Sequence, residues 1–200
     1  MEILVNIVHP YTFKQENEII IVGPRPEFKS RDTRLDYFVK AALIKKKRVL
    51  RHDLGGPIFE TMIGDAALSM DTLTEIMCDK QIHRIRTTPY GTPINDERPE
   101  HIPEERWKIL TTFFTQDSKY KELIGIPDLT FFIGGALEAC LANAMGYHKL
   151  NHKRQGERMF YIPELCVCFD ESKREEVGRK LKELDIRPMS YEQSIELINF

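Results

Sequence analysis

Long apolar runs are missing from this chain of 200 residues. No window approaches the roughly eighteen continuous apolar residues that a bilayer-spanning helix needs. The first ten residues, MEILVNIVHP, carry neither a basic leader nor a small-residue cleavage site, which together with the missing span predicts a cytoplasmic protein. A one-sided charge is also missing: 29 Lys and Arg against 31 Asp and Glu leave a formal charge of −2. That balance argues against a dedicated nucleic-acid or anionic-membrane surface and leaves room for local basic patches. Cysteine is scarce, with Cys78, Cys140, Cys166 and Cys168 in no regular framework. A disulfide-stapled scaffold is thereby excluded, and free thiols in a reducing compartment are expected. Internal repeats and low-complexity segments are absent, and the length suits one well-cored domain over residues 1–200.

What is present is an alternation of short apolar runs with helical spacings. EILVNIV (2–8) is a buried strand that His9-Pro10 ends, since proline turns its predecessor away from helix. EIIIV (18–22) is a second strand, and Leu35, Phe38, Val39, Ala42 and Leu43 lie at helical spacing. Lys45-Lys46-Lys47-Arg48 suits the negative C-terminal end of that helix, and a strand follows at 49–52. Two helices are expected between residues 58 and 78, an alternating strand at 82–86, and an irregular excursion at 87–103 with four prolines and no apolar period. Trp107, Leu110, Phe113 and Phe114 mark a helix whose apolar stripe is expected in the core, with a dimer contact as the second use. A basic loop after Tyr147 precedes apolar runs at 159–162 and 165–169, then an amphipathic helix at 171–184, a short strand and a helix capped by Ser190 and Gln193. The pattern predicts a three-layer α/β fold: a mainly parallel sheet of five or six strands with helices on both faces.

The most informative stretch is DLTFFIGGALEACLANAMGY, residues 128–147. An apolar strand runs through Gly134-Gly135 into a helix expected to begin near Ala136, which would put Cys140 in or just beyond its first turn. Unsatisfied N–H groups and the helix dipole favour an anion there, thiolate included. Beside that stands the ordinary role of a free cysteine, a small hydrophobe on the inner side of a helix.

The segment IGGALEACL resembles the nucleophile motif of the isochorismatase-like cysteine hydrolases, which include nicotinamidases: Gly134 ends the strand, Glu138 lies two before Cys140, and the apolar Leu141 follows it. The resemblance covers about the last eighty residues and implies attack by Cys140 on an amide or related carbonyl. It further implies a carboxylate base on the first strand, a place taken here by Asn6, which accepts no proton at neutral pH. A nearby cation is implied from a middle strand, with Lys80, Arg84 or Arg86 as candidates, and the backbone at 135–140, with Gly135, Ala136 and Glu138, as oxyanion or substrate contacts. A carboxylate such as Asp53 or Glu164 could replace the missing base.

His52 and Asp53, at a strand end, are read as a substrate contact or a hydrogen-bonding pair. With His83 they do not reproduce the metal spacing of nicotinamidases, so no metal and no cofactor is expected. Cys166 and Cys168 share one face of a strand as buried filler. Three functions follow: a divergent cysteine hydrolase of a small amide, a catalytically silent protein of the same fold that binds a ligand or partner, and a nucleic-acid-associated protein using residues 45–51 and 149–154. The expected partners are a small molecule and further copies of the chain.

Overall fold

A computed structural model describes residues 1–9, 13–16, 19–22, 29–55, 81–168 and 170–200. Strand β1 (Ile3–Val8) is buried along its whole length, as its β-branched run with no polar alternation requires of a strand covered on both faces. A separate antiparallel pair, β2 (Phe13–Glu16) and β3 (Ile19–Val22), follows; only the second of these is expected from the sequence. Helix α1 (Lys29–Ile44) leads to β4 (Arg48–Leu54), and β5 (Ile82–Thr87) comes next among the described residues. Helices α2 (Glu104–Phe113) and α3 (Asp117–Ile124), strand β6 (Leu129–Ala136) and helix α4 (Ala142–Asn151) lead to β7 (Arg158–Val167), α5 (Arg174–Glu183), β8 (Ile186–Pro188) and α6 (Tyr191–Asn199). The expected helices at 58–78 lie outside the described residues.

The six strands of the main sheet are all parallel, in the order β5-β4-β1-β6-β7-β8. The chain builds outward from β1 through β4 to β5, then returns beside β1 and builds the other way. Strand order thus reverses between β1 and β6, and the crevice beyond the carboxyl ends of such a pair is where open α/β sheets hold ligands.

One face of the sheet packs Val5, Ile7, Val49 and Phe131 against Leu35, Phe38 and Val39 of α1, with Ile198 of α6. The opposite face packs Val8, Phe132 and Met159 against Leu137, Leu141 and Met145, and Leu4, Leu50 and Ile85 against Tyr120 and Ile124 of α3. Three layers result, as the alternation predicts. The cap of α6 is the capping box expected from Ser190 and Gln193: each side chain bonds the other's backbone N–H.

Three expectations need correction. The apolar run at 159–162 and residues 165–167 of the next run are one strand, because Pro163 sits within β7, where pairing with β6 shifts register. Helix α2 has no buried residue, so Trp107, Leu110 and Phe113 are half-buried rather than core. The first four residues of the basic loop expected after Tyr147, 148–151, are instead the last turn of α4, and His148 and the C-cap residue His152 are buried.

Candidate functional site

The carboxyl ends of β1 and β6 meet the cysteine through a chain of close approaches. Gly134 has φ +109°, and a Cβ there would lie 2.5 Å from Val8 O, so only glycine allows β6 to lie this tightly along the end of β1. Gly134→Ala is expected to cost about 2–3 kcal/mol in urea unfolding, from strain and the displaced Val8 carbonyl together. A Cβ on Gly135 would lie 2.8 Å from Cys140 Sγ and 2.9 Å from Val8 O. The sulfur therefore occupies the space that Gly135 leaves open.

Strand β6 continues through Ala136, a π-helical turn covers Leu137–Leu141, and regular helix starts at Ala142. Cys140 lies just ahead of the helix rather than in its first turn, and Ala139 beside it holds the non-helical angles φ −134°, ψ −109°. This strand, glycine pair and turn are legible in the sequence; the five-residue delay is not.

Around the sulfur the structure places carbonyl oxygens and apolar groups. Cys140 is 8% exposed, its thiol points at Ala136 O at 4.0 Å, and the Val8 and His9 carbonyls crowd the same side of Gly135. Burial pushes the thiol up to about 11 against the backbone hydrogen bonding of Ala136, Leu141 and Cys140, which favours the thiolate, and Glu138 adds a smaller rise. Gly91, from the excursion at 87–103, covers the turn: a Cβ there would lie 2.7 Å from Cys140 O and 3.0 Å from a Val8 methyl. Val8 is thus the β1 side chain grouped with Cys140 in one apolar cluster, while Asn6 lies deeper along the strand.

Asn6 is fully buried, with Oδ1 3.1 Å from His52 Nε2 and Nδ2 without a hydrogen-bond partner. His52 Nδ1 is 3.1 Å from Gly91 O, so this ring ties the excursion to the sheet. Burial holds His52 down to about 4, and a neutral ring has one N–H for two acceptors. Turning the Asn6 carboxamide over would let its N–H serve Nε2. His9 is also buried, contacts Thr87 Oγ1 at 2.9 Å, and is held down to about 3 by burial and by His52.

The other candidates are engaged elsewhere. Asp53 bonds Arg51 at 2.6 Å and Arg84 at 2.8 Å. Strand alternation puts these three with Val49 and Ile82, on the sheet face opposite Asn6 and His52. Arg84 is therefore across the sheet from the cysteine's side. Glu138 Oε1 accepts the Asp170 N–H at 3.0 Å, tying the turn to the chain beyond β7. Glu164, the other possible replacement base, accepts the Tyr191 N–H at 3.4 Å. Cys166 and Cys168 are buried, with their thiols directed at Ile162 O and Asp170 O. Lys80 lies outside the described residues. His52 and Asp53 face opposite ways, so they do not fit a shared metal, and among the described residues no three His, Cys, Asp or Glu side chains are grouped to hold one.

A second polar cluster went unread in the sequence, beneath α4. His148 Nε2 is 2.9 Å from Glu157 Oε1 and its Nδ1 is 2.9 Å from Tyr120 Oη. Glu157 also accepts the Thr130 hydroxyl at 2.5 Å and the Arg154 N–H at 3.0 Å, and these donors hold its carboxyl below the usual value against the opposing effect of burial. Nearby, Asp117 accepts from both His152 and Tyr147. The signal available in the sequence was the i, i+4 spacing of His148 and His152.

The fold defined by this sheet order, its two helical layers and the cysteine turn at the strand reversal is the isochorismatase-like fold. The isochorismatase family protein of Desulfovibrio vulgaris superposes with a TM-score of 0.60 at 8% identity, over 99% of this chain and 98% of that one. The pyrazinamidase of Pyrococcus horikoshii in complex with zinc gives 0.57 at 12% identity, over 95% and 99%. The MAR1 ribonuclease of Caenorhabditis elegans gives 0.55 at 10% identity, over 97% and 79%. No family model and no curated protein sequence matches the chain.

Proposed function

We propose that this chain is a catalytically silent isochorismatase-like protein that binds a small molecule or partner at the crevice between the carboxyl ends of β1 and β6. The observation that carries this reading is the setting of Cys140: a buried thiol that desolvation pushes up to about 11 despite opposing backbone hydrogen bonding, with an amide at Asn6 where the resemblance wants a carboxylate. A thiolate needs a cation, a donor or a base beside it; backbone hydrogen bonding at Leu141 and Cys140 supplies part of that, and burial outweighs it. Raised from 9.0 to about 11, the thiol carries at pH 7 about 100-fold less thiolate than an ordinary cysteine.

The second reading, hydrolysis of a small amide by Cys140, is favoured by the position of this cysteine just past a strand end at the reversal of strand order. One experiment separates the two. Ammonia release from nicotinamide, pyrazinamide and N-carbamoylsarcosine is measured for the wild type and for Cys140→Ala, alongside iodoacetamide labelling of Cys140 from pH 6 upward. The silent reading expects no Cys140-dependent ammonia and labelling that climbs only as pH approaches about 11. Ammonia release abolished by Cys140→Ala, or fast labelling below pH 7, overturns it in favour of the hydrolase.

A further inference from the structure

Every strand of the main sheet points the same way, so the amino ends of the strands and the C-termini of the preceding helices share one edge. Five of the large apolar side chains most open to solvent lie on that edge: Met1 before β1, Ile44 ending α1, Ile126 before β6, Leu150 near the end of α4, and Phe200 after α6. Their exposures run from 55% to 99%. The Lys45 ammonium on the Asn199 carbonyl joins the ends of α1 and α6, and Arg158 against the Met1 sulfur joins the start of β7 to Met1.

The two basic tracts of the sequence arrive at the same edge. Residues 45–48 enter β4 and residues 149–158 enter β7, three strand positions away, about 14 Å at the usual strand spacing. Acidic residues also reach this edge at Glu2, Asp128 and Asp185, the last 3.5 Å from Lys153, so the basic tracts are only partly offset.

We infer that the amino edge is a docking face for an anionic lipid surface. Lysines at helix C-termini are satisfied by the helix dipole alone, but that effect gives no reason to expose Ile44, Ile126, Leu150 and Phe200 among them. Aliphatic side chains projecting between basic ones gain by entering the acyl boundary while the cations meet lipid phosphates and carboxylates. A nucleic acid offers the same charge and little for aliphatic side chains, since its bases favour aromatic stacking. Burial and the adjoining Lys153 ammonium hold Lys149 below the usual lysine value, with Asp185, 3.5 Å from Lys153, offsetting part of that effect.

The test is sedimentation of the full chain with phosphatidylcholine vesicles, with and without phosphatidylserine, at about 0.15 M salt. Binding is expected only with phosphatidylserine and should fall steeply with salt. Lys46→Gln with Arg154→Gln is expected to weaken it about 25-fold, fivefold for each charge. Ile126→Ser with Leu150→Ser, which changes no charge, is expected to weaken it at least tenfold. The inference is overturned if phosphatidylserine gives no binding. It is also overturned if the serine pair binds like the wild type while a single-stranded RNA competes fully, which would assign the edge to nucleic acid.

Discussion

Glu157→Ala is expected to destabilise the protein by about 3–5 kcal/mol in urea unfolding, a cost set by what the change leaves behind. The carboxylate is 3% exposed and accepts from the Thr130 hydroxyl, the His148 ring and the Arg154 N–H. Removing it strands two buried donors, the Thr130 hydroxyl and the His148 ring, under α4, while the Arg154 N–H at the exposed turn can meet water. His148 then loses the partner of Nε2 and keeps only the Tyr120 hydroxyl at Nδ1. Glu157→Gln retains the shape and one acceptor oxygen, and should recover about half of the loss. A change below about 1 kcal/mol for the alanine variant would show that the cluster adds nothing to stability.

Acidification from pH 7 to pH 5 is expected to remove about 2 kcal/mol of stability for each of His9 and His52. Both rings are buried, with values held from 6.5 down to about 3 and about 4. Between those values and 6.5 the unfolded chain binds protons that the folded protein refuses, so stability falls as pH drops through that window. Glu157 has the opposite chemistry and the same direction of effect. With its folded value below the usual 4.5, its contribution is complete above 4.5 and is lost as pH falls through the folded value. The acid limb should therefore have two phases, the first from the rings and the second from the carboxylate. His52→Gln should remove about half of the first phase in urea titrations at pH 7, 6 and 5; an unchanged slope would rule out His52 as a source.

The parts of the fold set by local pattern were legible before any coordinates. An apolar β-branched run such as ILVNIV admits little besides a central strand, and Ser190 with Gln193 carries its own cap geometry. Long-range compensation was not legible. His148 and His152 sit among lysines and read as solvent-facing, because Tyr120, Glu157 and Asp117, which satisfy them, are remote in sequence or on another element. The candidate site divides the same way. Gly134-Gly135 and Cys140 form one continuous segment, and their turn was foreseen. That Asp53 and Arg84 answer each other on the far face depends on pairing between β4 and β5, which residue spacing does not encode. Gly91 had no distinguishing neighbour in the sequence, yet it covers the cysteine turn.

Among the described residues, the two outermost strands bear on how copies of the chain can meet. At one border β8 is only three residues long and ends in Pro188, which has no N–H to offer a further strand. At the other, β5 presents the exposed His83, Arg84 and Arg86, so a second β5 brought alongside would set cation against cation. Neither border invites another chain to continue the ladder. Both described borders of the sheet thus carry features that disfavour edge-to-edge aggregation.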